Sequence, residues 1–389
     1  MEEFNEKNSN KHCNGINRNG RQKNHHQDKE FCNEFAGKID NEEIMYSEIS
    51  SPDNDRVVNL IKNAFHFDPD VRFASYEKIV KLGRRALPTL YLILSDDETA
   101  KIIAAKTLGI KMKDFVKGDI DNNIKYKIDL RAVIIKNVAC TCSAKIVKNL
   151  DYEEKSKLAS IFQKLLDVNL DKDKYSKSIL QSYDDLKHNI LLSIPSLSDA
   201  AASLSATINN ILKQNDVSTK VKTQAITAMA YIAEFSSRNS ANILINIFAD
   251  KKEQPFIRTN ALSALGEIGD SLSIEQVDEI INLLISELEE NKDNPDKNKY
   301  IEAALEFGKK RINKMIDVIK DTNKKLATRE FACYVCFGIA RKNPEIYDFI
   351  VGSFIDIRDS LKNDSNLIYE SDNKSILNLI EEILKMLSY

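Results

Sequence analysis

The sequence has no tryptophan and few turn-forming residues, since its 389 residues include 11 Gly and 7 Pro. β-Hairpins depend on glycine-containing turns, so a chain this poor in glycine is not typical of an all-β fold. Leu, Ile, Ala, Lys and Glu, which suit helices, are instead abundant. The composition therefore predicts an all-α protein.

Long apolar segments are also missing. A membrane-spanning helix needs about 18 or more apolar residues in a row, and no stretch approaches that length. The start, MEEFNEKNSNKHCNG, has no apolar run behind a basic end and so does not resemble a secretory signal. We therefore expect a cytoplasmic protein whose six cysteines remain reduced thiols.

The chain lacks the strong basic excess of most proteins that bind duplex nucleic acid, since its formal net charge is −3. Residues 1–50 hold 7 basic and 10 acidic side chains, which leaves 49 of each in the rest. Within that rest, residues 101–187 carry 18 basic against 12 acidic side chains, and residues 271–389 carry 17 against 22. The charge disfavours nucleic-acid binding, although the first half keeps a basic region.

What the sequence does contain is an internal repeat. The stretch DPDVRFASYEKIVKLG begins at Asp68, and its pattern returns in PFIRTNALSALGEIGD, which begins at Pro255. Counted from Val71 and from Ile257, a basic residue follows at plus one, aliphatic residues at plus eight and plus eleven, and glycine at plus twelve. Such offsets place the apolar residues on one face of a helix.

Further copies define the period. Clear ones start at Val221 and Thr328, and weaker ones start near Ala100, Leu130 and Lys297. The step from 221 to 257 is 36 residues, and the step from 257 to 328 is 71, or two periods. Each copy is followed by a second amphipathic stretch, and a single pair of helices cannot bury its apolar face alone. The repeat therefore predicts stacked helical hairpins.

This pattern resembles the HEAT repeat, particularly the short repeats of phycobilisome lyases, which run roughly Asp, any residue, Val-Arg, small residues and Ala-Leu-Gly-any-Ile-Gly. The best matches are FIRTNALSALGEIGD and DPDVRFASYEKIVKLGRRALPTL, with Pro88 early in the second helix. The resemblance runs from Asp53 to Leu361 and departs from the pattern at 111–126 and 171–217. It implies an all-α, right-handed alpha-alpha superhelix, a HEAT/armadillo-like solenoid.

The predicted organisation has two parts. Residues 1–50 are an Asn-rich polar segment whose composition favours a disordered tail. Residues 51–389 would form the solenoid, with about seven to eight hairpins.

Recurrence assigns the conspicuous polar residues to this scaffold. Asp68 or Asp70 is expected to cap the first helix, and the basic residue at plus one to bridge to an acid in an adjacent repeat. Cys333 and Cys336 form a C-x-x-C motif, but they occupy offsets five and eight, which are apolar in the other copies. We therefore expect both thiols in the core.

Metal sites and enzymes remain weaker alternatives. Among HEAT-like enzymes, deoxyhypusine hydroxylases bind two irons through His-Glu pairs, whereas His66 and His188 here precede Phe and Asn. The HEAT-like alkylpurine glycosylases use aromatic and acidic residues, which fits poorly with a chain without Trp. A bilin-lyase relative stays open. A zinc site in the tail also stays open, although its spacing matches no known finger; the residues concerned are His12, Cys13, His25, His26 and Cys32.

The sequence thus predicts a non-catalytic scaffold without a cofactor, which binds an extended or helical segment of another protein through the concave face of the solenoid. HEAT-like enzymes and nucleic-acid-binding proteins are the alternatives. The second helices should line that face, so their polar residues outside the apolar stripe are the candidate partner contacts. These are Asn242, Asn246, Gln276, Asp278, Asn282 and Asp348.

Deletion of residues 1–50 should leave the helical circular dichroism and the melting temperature nearly unchanged. A segment this polar buries too little apolar surface to offset its ordering entropy. Thermal melts of the full and shortened chains test this. A large loss of helix, or stabilisation of the full chain by added zinc, would contradict it.

Overall fold

The computed structural model describes residues 52–389 except 119, 215, 234, 236–238, 291–295, 364–370 and 389. The described residues form helices, and no strand occurs among them. Residues Arg56–Tyr389 make one compact unit. The predicted tail over 1–50 and its His/Cys group lie outside the described residues.

The described part of the chain is a succession of helices joined by short turns. In chain order, the α-helices are α1 Pro52–Asn63, α2 Pro69–Leu82, α3 Leu87–Ser95, α4 Asp97–Thr107, α5 Met112–Val116, α6 Asn122–Val147, α7 Tyr152–Leu166, α8 Lys177–Leu192, α9 Ser205–Lys213, α10 Thr219–Ala233, α11 Asn239–Ala249, α12 Pro255–Glu267, α13 Ile274–Glu290, α14 Lys297–Phe307, α15 Ile312–Lys320, α16 Leu326–Lys342, α17 Pro344–Asn363 and α18 Ser371–Leu387. The 3₁₀ segments are Gly83–Ala86, Ile194–Leu204, Gly269–Ser271 and Gly308–Arg311.

Successive helices pair into the hairpins of an α-solenoid, which confirms the predicted fold class. The first helices, α8, α10, α12, α14, α16 and α18, contact one another in series. Second helices form the other layer, in which α11 contacts α13 and α15 contacts α17. A continuous hydrophobic core includes residues of both layers. Ala225, Ala261 and Ala332, at offset four of their copies, are fully buried where first helices meet.

The glycine at plus twelve serves different purposes in two copies. Gly83 has φ 59°, a left-handed conformation that ends α2 and that other residues adopt at a cost. Gly269 has no such backbone, but a Cβ there would lie 2.9 Å from the carbonyl oxygen of Glu306 in α14. The second glycine therefore permits close approach of neighbouring first helices.

A basic side chain from a first helix caps the end of an earlier second helix. Arg258 Nε donates to the carbonyl of Phe248 at 2.7 Å, and Phe248 is the penultimate residue of α11. The last carbonyls of a helix lack intrahelical partners and carry partial negative charge, so a cation is stabilising there. The same contact recurs from Arg329 Nε to Ile319 O in α15 at 2.9 Å and from Lys136 Nζ to Leu94 O in α3 at 3.2 Å.

The basic residue at plus one was expected to reach an acid in an adjacent repeat. Lys101, in the copy near Ala100, does so through Asp129 in α6 at 3.5 Å, but the clearer copies differ. Arg258 pairs with Glu287, which belongs to the second helix of its own hairpin and not to an adjacent repeat. Arg72 donates to the carbonyls of His66 and Phe67 at 2.9 and 3.0 Å. Lys222 pairs with Glu253, in the turn after its own hairpin, while Arg329 donates to Asn373 Oδ1 at 2.6 Å. The link to the preceding hairpin therefore runs through a backbone carbonyl.

Asp68 is the predicted N-cap of α2, since its carboxylate accepts from Asp70 N at 2.9 Å. The predicted core positions are also confirmed. Cys333 and Cys336 are fully buried, and burial raises the pKa of the Cys333 thiol to about 12. Both thiols therefore stay protonated and unreactive at neutral pH.

The two stretches that departed from the repeat pattern also depart structurally. Between α4 and α6 the second helix is reduced to the five residues of α5, and α6 is one continuous helix of 26 residues. The weak copy assigned to Leu130 therefore begins inside a helix that starts at Asn122. Between α8 and α9, the 3₁₀ segment Ile194–Leu204 replaces a short turn.

No single described helix has the length and apolar character needed to cross a membrane. One strongly bent pair, Lys177–Leu192 with Ile194–Lys213, passes on length and composition alone.

Leu265→Ala should lower the free energy of unfolding by about 2 to 5 kcal/mol, because Leu265 is fully buried and its loss leaves a cavity. Asn246→Ala, at an exposed site in α11, should change it by about 0.5 kcal/mol or less. Denaturant melts of both variants measure the difference. Equal losses of unfolding free energy in the two variants would contradict the assignment of Leu265 to the core and of Asn246 to the surface.

Candidate protein-interaction surface

The predicted contact residues lie on second helices, as expected. Asn242 and Asn246 are exposed on α11, Asn282 is exposed on α13, and Asp348 is exposed on α17. The structure thus places four of the six candidates on the outer side of one helix layer.

Three asparagines occupy the same position in successive second helices. Asn210 in α9, Asn246 in α11 and Asn282 in α13 are each 36 residues apart, and all three are exposed. Each follows by two residues a buried aliphatic side chain that fixes its register; these are Ile208, Leu244 and Ile280. We call Asn210, Asn246 and Asn282 the amide row. A carboxamide combines donors and an acceptor, as the peptide group does.

Four exposed acids on second helices form neither an ion pair nor a side-chain hydrogen bond in the described part of the chain. They are Glu279 on α13, Asp317 on α15, and Asp348 and Asp356 on α17, and we call them the open carboxylates. Asp317 follows Asn282 by 35 residues and continues the register of the amide row. One exposed base, Lys320, lies a turn beyond Asp317 on α15.

Gln276 was predicted to contact the partner, and this was wrong, because its side chain is buried. Its Oε1 accepts from Ser273 N at 2.9 Å, and Ser273 Oγ accepts from Gln276 N at 3.3 Å. This reciprocal pair is a capping box at the start of α13. Gln276 Nε2 also donates to Asn242 Oδ1 at 2.7 Å, which joins α13 to α11. Gln276 therefore holds two second helices together.

Asp278 was predicted to be available to a partner, but it is held within the protein. Its carboxylate pairs with Arg311 and accepts from Lys314 Nζ at 3.0 Å. Burial acts to raise the pKa of Asp278, but these hydrogen bonds outweigh burial and hold the pKa below its usual range. Asp278 thus ties α13 to the start of α15, and its charge is already neutralised.

Sequence reasoning missed Asn210, Glu279, Asp317 and Asp356. Asn210 and Asp317 follow from the period, since they lie 36 residues before Asn246 and 35 after Asn282. Asn210 was overlooked because it lies in the stretch 171–217, where no hairpin was assigned.

Among the described residues, no group of His, Cys, Asp and Glu side chains is arranged to hold a metal ion. The exposed side of the second helices offers the amide row, the open carboxylates and apolar side chains. Phe349 and Ile355, both on α17, are the exposed large apolar residues beside the open carboxylates. Such a surface is equipped for binding.

Comparison with protein families finds one match. The model of the vitellogenin TPR domain matches residues 139–306, which is less than half of the chain. A search of curated proteins found no match. The finer resemblance to phycobilisome-lyase repeats stays a prediction.

Several solved structures are similar over most of this chain. An engineered protein is 14% identical, with a TM-score of 0.34, and the match covers 85% of this chain and 99% of that one. Kap121p bound to Nup53p is 12% identical, with a TM-score of 0.30, and the match covers 84% and 45%. Kap95p, in a structure with RanGDP, is 13% identical, with a TM-score of 0.28, and the match covers 85% and 52%. The chain thus spans about half the length of the Kap proteins it matches.

Gln276→Ala should lower the free energy of unfolding by about 1 to 3 kcal/mol, because it removes both the capping box with Ser273 and the hydrogen bond to Asn242. Asn282→Ala, on the same helix but exposed, should change it by about 0.5 kcal/mol or less. Urea melts of the two variants make the comparison. If Gln276→Ala left the free energy of unfolding unchanged, Gln276 would again be a candidate for contact with a partner.

Proposed function

We propose that this protein is a non-catalytic scaffold that binds an extended or helical segment of another protein along its second helices. The observation that carries the proposal is the combination of the amide row with the open carboxylates. We place these groups on the concave face of the solenoid, where second helices lie in HEAT-like proteins.

The amide row supports recognition of a polypeptide backbone. An extended peptide presents N–H and C=O groups that need partners when it leaves water. Asn210, Asn246 and Asn282 each offer donors and an acceptor, and their carboxamides carry no net charge. A row of such groups can bind main chain with little regard to side-chain identity.

The open carboxylates support a preference for basic segments. Other acids of these helices are already used, since Asp278, Glu287 and Glu290 pair with cations of the same chain. Glu279, Asp317, Asp348 and Asp356 instead leave negative charge exposed, opposed on the second helices by exposed bases such as Lys213 and Lys320. Complementary charge raises the association rate and the salt sensitivity of binding.

Other parts of the functional interpretation stay predictions. Absence of catalysis and a cytoplasmic location are both expected from the sequence. Nucleic-acid binding through the lysines of residues 101–187 is the competing function, and the following experiment separates it from protein binding.

The variant Asp317→Lys/Asp348→Lys should reduce capture of the native partner several-fold while leaving the fold intact. Both residues are exposed and unpaired in the described chain, whereas reversal at Asp278 would break its internal ion pairs. Capture from nuclease-treated lysate of the native cell, quantified by mass spectrometry, measures the loss. The variant Asn246→Ala/Asn282→Ala should also weaken capture.

A control with the same change in net charge is Glu302→Lys/Glu382→Lys, at exposed positions on the first helices α14 and α18. It should leave capture unchanged. Loss of capture in both pairs would indicate a general charge effect. Unchanged capture in the first pair, with DNA or RNA as the main captured material before nuclease treatment, would overturn the proposal in favour of nucleic-acid binding.

A further inference from the structure

A small cleft opens on the first-helix side of the solenoid. Its volume is about 150 Å³, and it lies between the end of α8, the 3₁₀ segment Ile194–Leu204, the middle of α10 and the end of α12. Two exposed apolar side chains lie beside the cleft: Leu192 follows the lining residue Leu191, and the ring of Phe235 contacts that of the lining residue Tyr231. The lining residues are Leu191, Pro195, Gln224, Thr227, Ala228, Ala230, Tyr231, Glu267 and Ile268.

The cleft exists because this hairpin departs from the repeat. The 3₁₀ segment bends sharply, with Ser198 at φ 52°, and Lys155 Nζ donates to Ser198 Oγ at 3.1 Å. Tyr231 Oη donates to the carbonyl of Pro195 at 3.2 Å and so closes one wall. The ring of Tyr231 lies 5.4 Å from that of Phe235, which extends the apolar surface outward.

One edge of the cleft is negatively charged and lacks an internal partner. Glu267 is exposed and forms no ion pair or side-chain hydrogen bond in the described chain. It is also the last residue of α12, where the helix dipole favours a cation and disfavours a carboxylate. The nearby ammonium of Lys310 is occupied by the carbonyls of Gly269, Asp270 and Leu272 at 3.1, 2.8 and 2.7 Å. A cation supplied from outside would therefore be stabilised beside Glu267.

We propose that this cleft binds a segment of a partner protein in which a large apolar side chain stands next to a lysine or arginine. A volume of about 150 Å³ is enough to hold a six-carbon ring, so the size of the cleft suits one phenylalanine or leucine side chain. The adjacent cation reaches Glu267, while Gln224 and Thr227 supply polar groups for the backbone. This surface is separate from the second-helix face and does not depend on it.

The test is a titration with two short probes, acetyl-Phe-Lys-amide and acetyl-Phe-Glu-amide, followed by methyl NMR of Leu191, Ala228 and Ile268. The lysine probe should give saturable shifts in the millimolar range, and the glutamate probe should bind more weakly. Glu267→Gln should reduce binding of the lysine probe about two- to fivefold, as expected for an exposed ion pair, and should remove the difference between the probes.

Thr227→Trp should abolish the shifts by filling the cleft, because Thr227 is exposed and lines it. Ser263→Trp, exposed on α12 but outside the lining, is the matched control and should bind normally. If Thr227→Trp fails to fold, Glu267→Gln decides. The proposal would be overturned by absence of saturable shifts, by equal binding of both probes, or by retained binding in Thr227→Trp. Normal probe binding in Asp317→Lys/Asp348→Lys would show that the cleft binds independently of the second-helix surface.

Discussion

The contact on which the stack depends is the bond between a first-helix cation and the carbonyl near the end of an earlier second helix. Arg258 and Arg329 both make it, to the penultimate residues of α11 and α15. Apolar packing alone tolerates small shifts between neighbouring hairpins, whereas this bond requires one guanidinium to meet one carbonyl. Because Arg329 is almost fully buried, removing that carbonyl contact would take one of its hydrogen-bond acceptors from a charge in the core. The bond therefore fixes how α12 sits on α11 and how α16 sits on α15.

A fixed stacking register has a consequence for the surface. When successive hairpins repeat every 36 residues, a side chain in one second helix has a counterpart facing the same way in the next. The amide row follows from this, as does Asp317 in α15. The charges divide accordingly. Acids between helices, such as Glu287 and Asp278, pair with cations of the protein, whereas the open carboxylates form no ion pair in the described part of the chain.

The sequence predicted the repeat, the core and a helix cap at Asp68 or Asp70, which the structure assigns to Asp68, because each depends on local spacing. Leu265 and Cys333 are buried as the offsets required. Gln276 was misassigned because polarity was taken as a sign of exposure, although Ser273-x-x-Gln276 is a capping box that can be read from the sequence. Asp278 was misassigned for a different reason: its partners Arg311 and Lys314 lie 33 and 36 residues away, and only the packing of hairpins brings them together.

The hairpin that contains the 3₁₀ segment after α8 departs from the regular packing, and a cleft lies beside it. Where hairpins follow the period, first helices pack closely, as Gly269 against Glu306 illustrates. The 3₁₀ segment after α8 breaks that packing, and a cleft results beside Tyr231. Regular repetition thus produces a long surface that presents many similar groups, whereas this departure produces a cleft. The two features differ in their chemistry, since the first presents amides and carboxylates on second helices, and the second combines apolar side chains with Gln224, Thr227 and Glu267 on first helices.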